Sequence, residues 1–235
     1  GRMSTRALLG LLDSLEASVR GLKPRSGPGD WRAYYRQFSY SDTAIEAKER
    51  IGAAFLDSLG DGVVWDLGAN VGRFSRLATS RGQYCVALES DRDCVEANFR
   101  MAVEQDDTRM LPVVMDLSNP SPACGWAHDE RMSLAERAPA RGILALALVH
   151  HLAVANNVPL ASIATFISRL AQEALIEFVP KTDPELQRML ASRQDIFAEY
   201  SRESFERVFG VTHEIRERHP VAGSGRIIYS LRRRA

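Results

Sequence analysis

A buried strand that runs directly into a turn with two glycines constrains the fold of this chain most. Residues 63–67 are apolar except for Asp66, and Gly68 and Gly72 follow before the start of a helix. Glycine permits a turn with positive φ and lets the backbone approach a ligand closely. One helix later a second predicted strand, 84–88, is followed by Glu89. An acid at that position can accept both hydroxyls of a ribose, so the sequence predicts a nucleotide-binding strand–helix–strand unit.

The spacing of these glycines excludes two other nucleotide-binding motifs. After Gly68 the next glycine is Gly72, so the dinucleotide pattern Gly-x-Gly-x-x-Gly is absent. No Lys-Ser or Lys-Thr pair follows the glycines, which excludes a phosphate-binding P-loop. The turn is therefore expected to serve a different nucleotide-like ligand.

The composition is that of one soluble globular domain. Hydrophobic residues make up 45% of the 235 residues, and Lys plus Arg equal Asp plus Glu at 30 each. A balanced charge gives no basic surface for a phosphate backbone. The three cysteines lack metal-ligand spacing, and no apolar run reaches the roughly 18 residues that span a bilayer. We therefore expect a cytoplasmic protein without a metal, a nucleic-acid partner or a membrane partner; the oligomeric state stays open.

Strands alternate with helices from residue 62 onward, which predicts a mostly parallel sheet with crossover connections. The predicted strands are 63–67, 84–88, 110–115, 143–148 and 174–179, and the predicted helices are 73–81, 92–104, 130–136, 160–172, 184–193 and 202–209. Two last extended segments, 212–219 and 226–231, are joined by a short linker, so they are expected to form an antiparallel hairpin. The fold class predicted is α/β, with a Rossmann-like seven-stranded sheet.

The pattern Asp-x-Gly-x-Asn-x-Gly, followed by acids at strand ends, resembles the class I S-adenosylmethionine-dependent methyltransferases. The resemblance runs from about residue 55 to the C-terminus and implies S-adenosylmethionine (SAM) as the cofactor. It matches Asp66 to the family's motif acid, Gly68 to the turn under the methionine part, and Gly72 to the start of the first helix. Asn70 stands where many members have glycine, and Asn tolerates unusual backbone angles well.

The next two strand ends complete the cofactor site that the resemblance implies. Glu89 would bind the ribose hydroxyls, and Asp116, followed by Leu117, stands where the family contacts the adenine amino group. Asp66 or Asp116 alone could merely cap a helix. Three acids at three successive strand ends favour a cofactor site instead.

The end of the fourth predicted strand is the candidate catalytic segment. Residues 146–152 resemble the Leu-x-His-His-Leu ending found in family members that methylate small molecules. An imidazole here could remove a proton from the acceptor as it attacks the methyl group. The alternative is that His150 and His151 only bond a neighbouring loop.

Two charged residues follow or end the fifth predicted strand at the same edge of the sheet. Glu177 could orient a substrate or a histidine, and Lys181 could meet an anionic group. The alternatives are a buried acid paired with an arginine and a solvated lysine.

Residues 1–60 are expected to form an N-terminal helical extension to the core, 61–235. Apolar residues recur at helical spacing in 8–19, and a second helix is predicted over 43–59. The aromatic residues between these helices lie where relatives place a lid, with Tyr34 and Tyr40 as candidate substrate contacts; ordinary packing is the alternative.

The leading hypothesis is SAM-dependent methyl transfer to a small-molecule or carrier-bound biosynthetic intermediate, with O- or C-methylation favoured. The motifs Trp-x-x-Tyr-Tyr, Asp-Leu-Gly-Ala-Asn, His-His-Leu and Glu-Phe-Val-Pro-Lys also resemble a poorly characterised bacterial group of nodulation-related methyltransferases. Two alternatives stay open: a protein or RNA methyltransferase, and a non-catalytic domain that binds the cofactor.

Overall fold

A seven-stranded sheet forms the centre of the protein. The computed structural model describes residues 3–22, 42–191 and 193–234. Its strands are β1 (Val63–Leu67), β2 (Tyr84–Glu89), β3 (Met110–Val114), β4 (Ala140–Ala145), β5 (Ala171–Phe178), β6 (His213–Pro220) and β7 (Ile227–Arg233). Their order in the sheet is β3-β2-β1-β4-β5-β7-β6. The first five strands in chain order are parallel, and β7 is antiparallel to both β5 and β6. The predicted Rossmann-like sheet with a C-terminal antiparallel hairpin is confirmed.

The α-helices in the described residues are α1 (Thr5–Arg20), α2 (Asp42–Leu59), α3 (Arg73–Thr79), α4 (Arg92–Glu104), α5 (Leu160–Leu170), α6 (Pro184–Ala191) and α7 (Arg202–Thr212). α3, α4 and α5 lie in the connections that follow β1, β2 and β4, as crossovers between parallel strands require, whereas the connection from β3 to β4 contains only short turns. A π-helical turn covers His151–Ala155, and short 3-10 turns cover Trp126–His128 and Ala135–Arg137. None of the helices in the described ranges is both long enough and apolar enough to cross a bilayer.

Both faces of the sheet are covered, because successive side chains of a strand point to opposite faces. Leu144 belongs to one buried apolar cluster, together with Leu56 of α2 and Phe74 of α3. Its neighbour Ile143 belongs to the other, together with Ile163 of α5 and residues of α7. α2 therefore packs on the core, whereas α1 has no buried residue. The domain division at residue 60 stays a prediction.

Several predicted bounds are wrong, and one predicted helix is mostly replaced by a turn. β4 and β5 begin at Ala140 and Ala171, each three residues before its predicted start, so residues 171–172 belong to a strand and not to the predicted helix 160–172. β4 ends at Ala145, three residues before the predicted end, because Ala147 takes a φ of 56° that a strand does not accommodate. The helix predicted over 130–136 is absent from that range apart from the start of a 3-10 turn. There the chain reverses through Gly125, Ala127 and His128, all with positive φ, and pairs Cys124 with Arg131.

Gly72 is fixed by packing as well as by its backbone angle. Its φ is 78°, and a Cβ at this position would overlap the side chain of Asn98 in α4. Gly82 has a similar φ of 85° but open space where a Cβ would lie. Substitutions at Gly72 and Gly82 therefore separate the cost of backbone strain from the cost of steric overlap.

We predict that Gly72→Ala lowers the free energy of unfolding by about 2–4 kcal/mol, since strain and overpacking add. Gly82→Ala, which adds strain alone, should cost about 1–2 kcal/mol. Urea denaturation of both variants gives the comparison. Equal losses would show that α3 and α4 can separate enough to accept a methyl group at Gly72.

Candidate cofactor site

A cavity of about 280 Å³ opens at the carboxyl ends of the parallel strands, where α/β sheets bind their ligands. Its lining residues come from the ends of four strands, from α2 and α3 and from the helical turn after β4. They are Lys48, Gly68, Asn70, Phe74, Leu88, Glu89, Ser90, Met115, Asp116, Leu117, Ser118, Leu146, Ala147, Leu148, His151, Leu152, Ala155 and Asn156.

The turn after β1 is attached directly to the end of β2. The backbone N–H groups of Gly68 and Ala69 both donate to the carbonyl oxygen of Leu88, at 2.8 and 3.0 Å. Gly68 has a φ of 75° and Asn70 a φ of 50°, so both take the left-handed conformation. The glycine-bearing turn predicted from the sequence is confirmed in its backbone geometry.

Glu89 is held in a fixed orientation by the same turn. Its Oε2 accepts from the backbone N–H of Asn70 at 2.8 Å, and its Oε1 accepts from the backbone N–H of Asp91 at 2.9 Å. A carboxylate has about four acceptor sites, so these bonds leave capacity for further donors. Glu89 lines the cavity and can accept from ligand hydroxyls there.

Asp116 and Leu117 line the cavity beyond the end of β3. Oδ1 of Asp116 accepts from the hydroxyl and the backbone N–H of Ser118, at 2.7 and 2.8 Å. These bonds hold the pKa of the Asp116 carboxyl below its usual range, so it is ionised at neutral pH. The structure thus brings the predicted acids of β2 and β3 into one cavity.

Asp66 and Gly72 support the turn from outside the cavity. Asp66 is buried, and its Oδ2 accepts from the hydroxyl of Ser75 in α3 at 2.6 Å. Burial raises the pKa of the Asp66 carboxyl to about 6. Neither Asp66 nor Gly72 belongs to the cavity lining. In this arrangement they connect β1 to the start of α3.

The structure separates the two adjacent histidines. His151 lines the cavity, whereas His150 is fully buried and neither of its ring nitrogens has a hydrogen-bond partner. The two ring centroids are 4.2 Å apart. Burial lowers the pKa of His151 to about 4 and that of His150 well below its ordinary value. Both rings are therefore neutral at pH 7, and of the two only His151 can meet an acceptor in the cavity.

Glu177 belongs to a buried network of four charged groups that we call the ion quartet: Lys48, Glu177, Asp183 and Arg226. Oε2 of Glu177 lies 2.8 Å from Nζ of Lys48, and its Oε1 lies 3.8 Å from Nη1 of Arg226. Arg226 also donates to both oxygens of Asp183, at 2.6 and 2.9 Å. Glu177 itself does not line the cavity, but Lys48 does.

Lys48 is a residue that the sequence analysis did not single out. It lies between Glu46 and Glu49, which suggests a solvated surface of the helix. The available signal is its spacing: Lys48 follows Ile45 by three residues and precedes Phe55 by seven, so it falls in the apolar stripe of α2. A charged residue in such a stripe indicates a buried partner.

The remaining predicted contacts are not brought to the cavity. Nζ of Lys181 pairs with the carboxylate of Asp195 at 2.8 Å, and Lys181 is not among the lining residues. Tyr34 and Tyr40 lie outside the described residues. Within the described part of the chain, no cluster of three or more His, Cys, Asp or Glu side chains could hold a metal ion.

No family model matches the chain. Nodulation protein NoeA of Rhizobium meliloti (strain 1021) is 35% identical over 234 residues, which are 99% of this chain and 49% of NoeA. The chain thus spans about half the length of this curated relative.

Two solved structures show the same fold at low sequence identity. One is magnesium protoporphyrin IX methyltransferase (ChlM) from Synechocystis PCC 6803 with bound S-adenosylhomocysteine (SAH): its TM-score is 0.58, with 16% identity over 87% of this chain and 92% of ChlM. The other is N-methyltransferase NodS from Bradyrhizobium japonicum WM9: its TM-score is 0.59, with 9% identity over 83% of this chain and 99% of NodS. The resemblance to class I SAM-dependent methyltransferases is confirmed at the level of the fold. The ligand of that ChlM structure, SAH, is the demethylated form of the cofactor that the sequence resemblance implies.

The buried, neutral His150 makes stability depend on pH. Its pKa in the folded protein lies well below the ordinary value of 6.5. Below about pH 6.5 the unfolded chain binds a proton at this position that the folded protein does not, so the free energy of unfolding falls with the pH.

The free energy of unfolding of the wild-type protein should fall between about pH 7.5 and about pH 5. We predict that this fall is about 2 kcal/mol smaller in His150→Gln. His219→Gln is the control, because His219 lies on β6 with a partly exposed side chain. Urea denaturation at both pH values measures the difference. If His150→Gln keeps the wild-type pH dependence, this imidazole is protonated in the folded protein.

Proposed function

We propose that this chain binds SAM and transfers its methyl group to a small-molecule or carrier-bound biosynthetic intermediate, with O- or C-methylation favoured. The observation that carries the proposal is the fixed carboxylate of Glu89. Two backbone N–H groups orient it in the same cavity as Asp116 and the Gly68 turn. This arrangement matches a ligand with a nucleoside at one end.

The cofactor would lie across the carboxyl ends of β3, β2 and β1. Asp116 and Leu117 would contact the adenine, and Glu89 would accept from both ribose hydroxyls. Gly68 would let the methionine part pass close to the backbone. A Cβ at Gly68 would already lie 3.2 Å from Cδ1 of Leu148, so the turn has little room for a side chain.

The chemistry of the step needs little from the protein beyond alignment. The sulfonium group makes the methyl carbon electrophilic, so holding the acceptor in line and excluding water supply most of the rate. His151 is the candidate general base, because it is neutral and lines the cavity. With a pKa of about 4 it is a weak base, so it suits an acceptor with an acidic hydroxyl or carbon.

Several finer points belong to the proposal. ChlM is a methyltransferase for a small molecule, magnesium protoporphyrin IX, which supports an acceptor of that size for this chain. The balanced charge supports a site that does not bind RNA. The cytoplasmic location stays a prediction, and a protein acceptor or a non-catalytic cofactor-binding role stay as alternatives.

We predict that Glu89→Gln weakens SAH binding by about 1–3 kcal/mol, because an amide cannot accept from two ribose hydroxyls and two backbone N–H groups together. Isothermal titration calorimetry measures the affinity. Glu173→Gln makes the same change on β5, where Glu173 pairs with Arg232 outside the cavity, and should leave the affinity unchanged. Equal affinity in the wild type and Glu89→Gln would exclude Glu89 from the ribose site.

We predict that His151→Ala lowers the rate of methyl transfer from labelled SAM by about 10²- to 10⁴-fold and leaves SAH affinity nearly unchanged. Since the base form of His151 exists above pH about 4, the wild-type rate should not fall between neutral pH and mildly acidic pH through this residue. His219→Ala removes an imidazole that lies on β6 outside the cavity lining, and should keep the wild-type rate. A wild-type rate in His151→Ala would show an enzyme that works by alignment alone.

A further inference from the structure

Lys48 carries an ammonium group into a cavity whose other charged side chains are acidic. Among the lining residues that the structure describes, Glu89 and Asp116 are carboxylates and His151 is neutral. The ammonium group of Lys48 is held at β5, which β1 and β4 separate in the sheet from β2 and β3, the strands whose ends carry these acids. It pairs with Glu177 at the end of β5, and its Nζ lies 5.8 Å from the ring centroid of Phe74.

The order of the strands sets the direction of a bound cofactor. Asp116 follows β3 and Glu89 ends β2, so the nucleoside end lies over these two strands. The turn at Gly68 and Phe74 of α3 follow β1, which is next in the sheet. The methionine end of SAM would therefore extend past β1 toward β4 and β5, which is the side where Lys48 meets Glu177.

The amino-acid end of SAM carries a carboxylate that needs a partner once it leaves water. Burial of an unpaired carboxylate is costly, and the acids Glu89 and Asp116 would repel it. We propose that Lys48 binds the α-carboxylate of the methionine part and so makes the site specific for cofactors with an intact amino-acid end. This inference rests on the proposed function, since it assigns one more contact to the same cofactor.

The other members of the ion quartet explain how Lys48 is held in place. All four groups are buried, with two positive and two negative charges. Glu177 fixes the ammonium group at 2.8 Å, while Arg226, bound to both oxygens of Asp183, stands 3.8 Å from the second oxygen of Glu177. Glu177 is then a positioning residue, because it lies between Lys48 and Arg226.

The experiment compares SAH with its decarboxylated analogue, which keeps the nucleoside, the sulfur and the amino group. We expect the wild-type protein to bind SAH about 10- to 100-fold more tightly than the analogue by calorimetric titration. In Lys48→Met this preference should fall to within about twofold, because both ligands then lack the same interaction. Lys181→Met removes a lysine that lies outside the cavity and should keep the wild-type preference.

A second variant distinguishes loss of the carboxylate contact from misfolding of Lys48→Met. Lys48→Met leaves Glu177 buried without its closest cation, which can destabilise the protein. Lys48→Met/Glu177→Gln removes both charges of the pair and should lose the preference for SAH in the same way. A thermal melt of each variant with its far-ultraviolet circular dichroism shows that the compared proteins are folded.

Three outcomes would overturn the proposal. The first is a wild-type protein that binds SAH and the analogue equally, and this test needs no variant. The second is a preference for SAH that survives in the double variant. The third is a preference for SAH that survives in Lys48→Met while methyl transfer is lost, which would show that Lys48 contacts the methyl acceptor and not the cofactor. Failure of the wild type to bind SAH at all would contradict the proposed function and is a separate result.

Discussion

The attachment of the β1 turn to the end of β2 determines the geometry of the whole cofactor site. The carbonyl oxygen of Leu88 accepts from two N–H groups of the turn, and the next side chain, Glu89, accepts from a third at Asn70. These three hydrogen bonds between the β1 turn and the end of β2 therefore fix the close-approach backbone and the candidate ribose acid together. A site built in this way needs little reorganisation when a ligand enters, because its acceptor is already oriented.

The ion quartet has a comparable role on the other side of the site. A buried ion pair is weak evidence for stability, since desolvation offsets much of its attraction. The quartet does connect segments far apart in sequence: Lys48 lies in α2, Glu177 lies one residue before the end of β5, and Arg226 directly precedes β7. Its residues hold α2 and the C-terminal hairpin at the edge of the sheet where the candidate site lies. That geometry, more than stability, is a reason to keep four charges buried.

The sequence predicts those parts of the fold and site that depend on local chemistry. The alternation of strands and helices, the short link before β7 and the turn at Gly68 each carry their cause within a few residues, and the structure confirms them. The end of β4 was placed wrongly because the apolar run continues through Leu148 without a glycine or proline to mark the turn. Only the fold shows that Ala147 takes a positive φ there.

Lys48 was missed for a different reason, since its partner lies 129 residues away in the chain. Local sequence cannot show such a pair; it shows only that a lysine falls in an apolar stripe. Once the pair is in place, the charges of the cavity follow an order: acids at the ends of β2 and β3, and an ammonium group beside β5. The ribose hydroxyls and adenine amino group of SAM are donors, whereas its carboxylate is an acceptor. The polarity of the cavity therefore favours one orientation of this cofactor and opposes the reverse one.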